Sequence, residues 1–178
     1  MMRKLIMGVF FFVAGSVSSA YAAILPTVVS ELDVNKYMGK WYQVASTNPF
    51  FQRDCVCTTA NYTLRDDGNV DVVNSCRLDI VDGAIKDVKG IAYATSNPGK
   101  FNVVFGGIRL PGSNYWIIEV ADDYSYAVVS SPLRRPIWIL SRTPELSAET
   151  LDGIYKRLDT QGFPVDAITP TLQAGCNN

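Results

Sequence analysis

From Lys40 to Ser141 the chain alternates short runs of strand character with breaks rich in turn formers, and this rhythm constrains the fold more than any other feature. The runs are 40–47, 55–64, 70–76, 86–94, 101–106, 115–120, 125–130 and 137–141. The breaks include Asp66-Asp67-Gly68-Asn69, Asn97-Pro98-Gly99, Pro111-Gly112-Ser113-Asn114 and Ser131-Pro132, whose side chains favour turns. Eight sequential strands with short links predict an all-β antiparallel meander. Closing it into an eight-stranded up-and-down barrel leaves no unpaired edge.

Helical spacing occurs once. In 148–160, Leu151, Ile154, Tyr155 and Leu158 form one apolar stripe, with Ser147 placed to cap the start and Gly162 to end the helix. A single helix cannot cover a large sheet, so it is expected on the outside of the barrel. Within the sheet, the 65–69 turn sets Leu64 against Val70, Tyr62 against Val72 and Ala60 against Asn74. Phe101, Val103 and Phe105 share one strand face, and Trp138, Leu140 and Arg142 another. Such a barrel is either filled by its own side chains or holds one small ligand. The mixture of aromatics with Tyr62 and Asn74 tilts the reading towards a pocket.

The links divide into two sets by the end at which they emerge. One end carries Asp66, Asp67, Asp122 and Asp123 on short turns. The other has longer links with Phe50, Phe51, Arg53, Lys86, Arg109, Leu110, Arg134 and Arg135. Arg134 and Arg135, with Arg53 and Arg109, are therefore expected to meet an acidic headgroup at an open mouth, unless they merely solvate the loops.

Composition removes several functions. The 178 residues contain no histidine, which excludes His-based triads and zinc sites and the commonest general base. A net charge of −1 and a pI near 5.4 leave no excess charge for a nucleic-acid partner. Residues 1–22 read as a secretory signal: Arg3-Lys4, an apolar run from Leu5 to Ala14, then small residues ending in Ala20-Tyr21-Ala22. The remaining domain, 23–178, is expected in the periplasm or outside the cell. No cysteine stands at the cleavage point to carry a lipid, so the product is expected to be soluble. After export, Cys55, Cys57, Cys76 and Cys176 admit three disulfide pairings. A metal or redox site at Cys55-Val56-Cys57 has no histidine to complete it.

Three motifs resemble one family. Gly39-Lys40-Trp41-Tyr42, the hairpin from Ala60 to Gly68 continuing through Val72-Val73-Asn74, and Trp138-Ile139-Leu140-Ser141-Arg142-Thr143-Pro144 are similar to lipocalins of the bacterial and apolipoprotein D branch. The resemblance spans essentially the whole mature chain. It departs at Ala121-Asp122-Asp123-Tyr124, where Thr-Asp-Tyr is common, and in lacking the lipid-bearing cysteine of many bacterial relatives. It implies a cup-shaped apolar cavity, with Tyr62, Asn74, Phe105, Trp116 and Trp138 at pocket-facing positions. It also implies a barrel floor closed by Trp41 with Arg142 across its ring. By resemblance Cys57 pairs with Cys176, which leaves Cys55 to Cys76. Strict pairing sets Thr58 opposite Cys76, so that second bridge needs a bulge or a shift of register.

The function expected is an exported carrier of a small lipophilic ligand, a fatty acid, lysophospholipid or similar amphiphile, with no cofactor, no metal and no catalysis. Two other classes stand beside it: a lipocalin-fold isomerase or oxidoreductase using a free cysteine, and a filled-barrel interaction protein. A transiently contacted membrane and a second copy of the chain are the further partners considered.

Overall fold

The computed structural model describes residues 25–177. The signal segment and its cleavage point lie outside the described residues. Eight antiparallel strands run in sequence order around a barrel: β1 (Gly39–Ser46), β2 (Cys55–Leu64), β3 (Val70–Leu78), β4 (Ile85–Ala94), β5 (Lys100–Val104), β6 (Tyr115–Val120), β7 (Tyr126–Ser130) and β8 (Trp138–Ser141). β1 pairs with both β8 and β2 and so closes the ring. The eight strands agree with the sequence rhythm to within two residues at either end. Two short elements carry no comparable signal: a helix α1 (Val34–Tyr37) at the closed end and a strand β9 (Thr169–Pro170) near the C-terminus.

Local chemistry fixes the β2–β3 register. Arg65 N donates to Asn69 O at 2.9 Å and Gly68 N to Arg65 O at 3.0 Å, with Gly68 at φ +79°, a conformation that favours glycine. Leu64, Tyr62 and Ala60 accordingly oppose Val70, Val72 and Asn74. Farther along, pairing passes from Thr59↔Ser75 to Val56↔Arg77, so Cys57 and Thr58 together face Cys76. Cys57 takes φ 54° in this bulge. The extra residue brings Cys55 onto Cys76, and a disulfide joins them.

Two apolar cores follow from strand alternation. Inside the barrel, Trp41, Tyr62, Val72, Phe101, Ile117 and Leu140 cluster. Outside it, the helix α2 (Ala148–Thr160) buries Ile154 and Leu158 against Val44, Ile118, Ile137 and Ile139. Ser147 Oγ accepts the Thr150 N–H at 3.1 Å to cap α2, and Gly162 at φ +73° follows its end. Arg157 of α2 meets Glu119 of β6 at 2.7 Å and also donates to Tyr126, tying helix to barrel.

One seam is closed by the C-terminal tail. β1 pairs with β2 only over Gly39–Tyr42, whereas it follows β8 to Ser46. Along the rest of β1, β9 pairs with Ala45 and Ser46. Thr171 N then donates to Val44 O at 2.9 Å, and Cys57 N to Leu172 O at 2.8 Å. The Cys57–Cys176 disulfide locks the tail beyond that point.

Candidate functional site

The barrel holds a cavity of about 290 Å³, just below the roughly 300–1,000 Å³ of small-molecule sites. Its walls are apolar, with Val70, Val72, Ala92, Phe101, Val129 and Leu140 among them, and among the described residues no charged one lines it. An interior occupied completely by side chains is thereby excluded.

The closed end is built in layers. Trp41, wholly buried at 0% exposure, has its indole Nε1 bonded to Tyr37 O at 2.9 Å. The Arg142 guanidinium lies 3.6 Å from the Trp41 ring centroid. Arg142 also donates to the carbonyls of Lys40 and Lys36, so its charge is stacked and hydrogen-bonded at once. Tyr37 from α1 stacks on Tyr62 from β2, with ring centroids 5.7 Å apart. Tyr115, at the start of β6, completes the group: its Oη lies 2.7 Å from Tyr37 Oη and 3.0 Å from Tyr62 Oη. Burial pushes the Tyr62 phenol up to about 12 and raises Tyr37 and Tyr115 well above the ordinary value of 10.0. The hydroxyls are therefore neutral donors at physiological pH.

Nearer the mouth, polar groups engage one another. Trp138 Nε1 donates to Gln52 Oε1 at 2.9 Å, Gln52 Nε2 to Gln43 Oε1 at 3.2 Å, and Gln43 Nε2 to Thr171 Oγ1 at 2.9 Å. Asn74 also lines the cavity, and among the described residues its amide has no hydrogen-bond partner. Phe105 follows β5 and lies at the cavity edge, 44% exposed. Gly90 admits this approach, since a Cβ there would sit 2.7 Å from the Phe105 ring.

Tyr62, Asn74, Phe105 and Trp138 thus come together around the cavity, and Trp116 does not. Tyr115 pairs across from the inward-facing Phe101, so the next residue, Trp116, points outward. Trp116 is 5% exposed in the helix-side core, bonds Ser113 Oγ at 2.8 Å, and carries Lys100 Nζ 3.7 Å from its ring. Arg134 and Arg135, expected to meet the ligand's headgroup, are not among the residues that line the cavity. Arg134 Nε donates to Gln161 O beyond α2 at 2.9 Å, and its guanidinium lies 5.8 Å from the Phe163 ring. Arg135 is exposed, and only the neighbouring Pro136 reaches the cavity. Tyr37, Tyr115, Gln43 and Gln52 are lining residues that sequence reasoning does not single out. Tyr115 becomes legible once it is paired with Phe101, whereas Gln43 and Gln52 have no local signal.

The lipocalin-like domain family matches residues 32–173 of the chain. Mouse apolipoprotein D is 35% identical over 161 residues, covering 85% of this chain and 82% of its own length. Outer membrane lipoprotein Blc of Escherichia coli K12 is 34% identical over 151 residues, 84% of each chain. Temperature-induced lipocalin-1 of Arabidopsis thaliana is 32% identical over 154 residues, 83% of this chain and 82% of its own. Among solved structures, the cockroach allergen Per a 4 superposes with a TM-score of 0.65 at 20% identity, covering 85% of this chain and 94% of that one. Lobster apocrustacyanin A1 gives a TM-score of 0.64 at 18% identity, covering 86% and 93%.

Proposed function

The chain belongs to the lipocalin-like domain family, and from that premise we propose that it is an exported carrier of a small lipophilic ligand held in the barrel cavity. The carrying observation is a cavity with apolar walls and, among the described residues, no charged lining one. Burial supplies the affinity at about 0.8 kcal/mol per methylene, and few polar contacts are needed. All four cysteines are disulfide-bonded, in keeping with an oxidising compartment. The same bonds take away the thiol on which the enzymatic alternative depended.

The mouth supports loading from a membrane surface. Its links present Phe50, Ile80, Ile108 and Leu133 at 77%, 62%, 86% and 84% exposure. The cations Arg53, Arg109 and Arg135 stand on those same links. Asp54, Asp79 and Asp82 are exposed on those links as well, so the apolar rim carries the argument for a lipid interface, to which each Arg adds about 1 kcal/mol where the lipid is anionic.

Lipid co-purifying with the mature protein, identified by native mass spectrometry, together with a saturable change in tryptophan fluorescence on lipid titration, is the expected result. Trp138 is the reporter, since its indole lines the cavity. Neither bound lipid nor a saturable change would overturn the carrier reading.

A further inference from the structure

The cavity's polar groups differ in what they have left to offer. Gln43, Gln52 and Trp138 are occupied with one another, and Asn114 bonds both backbone groups of Val103; the Asn74 amide and the Thr58 hydroxyl stand singly, nearer the mouth. The three phenols at the floor bond only among themselves through Tyr115, among the described residues. Each phenol has one proton and two lone pairs. Two hydrogen bonds use two of the three protons, whichever way the chain of bonds runs. One O–H therefore remains to donate, and lone pairs remain to accept, on residues that line the cavity.

That spare capacity is uncharged. Arg142, whose positive charge is felt at Tyr37 and Tyr62, does not line the cavity and is engaged by Trp41 and two carbonyls. A carboxylate carried down to the phenols would lose its water and meet no cation there, whereas a hydroxyl or carbonyl would find a donor and acceptors.

Resting on the carrier reading, we propose that Tyr37, Tyr62 and Tyr115 form a subsite for an uncharged oxygen of the ligand. The oxygen, a hydroxyl or a ketone or ester carbonyl, sits on the floor, with the apolar body directed towards the mouth. The cavity in consequence prefers neutral-headed lipids to fatty-acid anions of the same length.

The test titrates the mature protein near neutral pH with decanol, decyl chloride and decanoate. Decanol is expected to bind roughly tenfold more tightly than decyl chloride, the worth of a well-made buried hydrogen bond, and more tightly than decanoate. The Tyr37→Phe/Tyr62→Phe/Tyr115→Phe variant removes every partner of the cluster together and strands no buried hydroxyl. It should abolish the advantage of decanol while leaving decyl chloride within about twofold. Loss of that advantage in Asn74→Leu, with the three phenols intact, would place the oxygen at the Asn74 amide instead and overturn the subsite. Equal binding of decanol and decyl chloride, decanoate binding as tightly as decanol, or an advantage that survives the triple variant would overturn the subsite. The wild-type comparisons decide even if the variant does not fold. Binding of none of the three ligands would instead remove the carrier reading on which the subsite rests.

Discussion

The side-chain amide of Gln173 donates to Thr58 O on β2 at 2.8 Å and, with the same nitrogen, to Gln43 O on β1 at 2.9 Å. It joins the two strands along the stretch where they no longer pair with each other. Gln173 is 6% exposed, so both carbonyls would be left poorly solvated without it.

Gln173→Ala should therefore cost about 2 kcal/mol, read as a lowered midpoint in urea unfolding. Cys176→Ser should cost more. The sequence separation of 119 closed by Cys57–Cys176 corresponds to about 5 kcal/mol on the chain-entropy account, against about 3 for the separation of 21 closed by Cys55–Cys76. Release of bound ligand should also accelerate in Cys176→Ser, because Cys57 and Thr58 sit where the tail seals the barrel wall. Unchanged stability and release in both variants would mean that the tail is only an appendage.

Arg142 should resist conservative replacement. Arg142→Ala removes the stacking on Trp41 and two charged hydrogen bonds to the Lys36 and Lys40 carbonyls, an expected loss of about 3 kcal/mol. Arg142→Lys should recover less than half, since an ammonium cannot lie flat on the indole while spanning both carbonyls. Thermal unfolding measures both, and a lysine variant with wild-type Tm would refute the stacked geometry.

Where turn chemistry is local, the sequence was legible down to register. The 65–69 turn places Tyr62 against Val72, and the need to bring Cys55 to Cys76 calls for a bulge or a shift of register, which the structure supplies as a bulge on β2. The outward side of Trp116 is not legible in the sequence, because β5 and β6 are joined by the long link 105–114. Register across that link is held by Asn114 on the Val103 backbone and by Asn102 on Leu110 O, contacts with no turn signature. The bond from Arg134 to Gln161 is not legible either, because the two residues lie 27 positions apart, across α2. The phenol cluster draws one member each from α1, β2 and β6. The four-residue α1 is too short to show periodicity, so closure of the barrel, more than any local pattern, assembles this part of the floor.

The buried phenols give an alkaline signature. Tyr62 ionises at about 12 in the folded chain against 10.0 ordinarily, so the folded state holds its proton more tightly than the unfolded one. The stability associated with that difference, roughly 3 kcal/mol, is present in full below pH 10 and is lost as pH rises through 12. Urea midpoints measured across this window should fall steeply in the wild type and less steeply in Tyr62→Phe. Parallel declines would show that Tyr62 is not held neutral by burial.

Arg134 and Arg135 separate a structural role from a ligand-binding one. Arg134→Ala should lower stability by about 1 kcal/mol through loss of the bond to Gln161 O. The ratio of decanoate to decanol affinity should be unchanged in Arg134→Ala/Arg135→Ala, since neither side chain lines the cavity. A selective loss of decanoate would show the two arginines to be headgroup ligands.

The rim makes the last testable case. Phe50 and Leu133 stand on different links at one end of the barrel, each more than three-quarters exposed. Inserting a large apolar side chain into an interface contributes about 1.5–3 kcal/mol when burial is complete. Phe50→Ser/Leu133→Ser should therefore weaken co-sedimentation with phosphatidylglycerol vesicles by roughly tenfold or more. The pair Arg53→Gln/Arg109→Gln should weaken binding to those vesicles but not to phosphatidylcholine ones, and added salt should erase the difference because surface charges are screened. Decanol affinity should be unchanged in the serine variant, because neither residue lines the cavity. If vesicle binding is absent and the serine variant instead turns a dimer into a monomer in sedimentation velocity, the rim is a contact between copies of the chain and membrane loading is excluded.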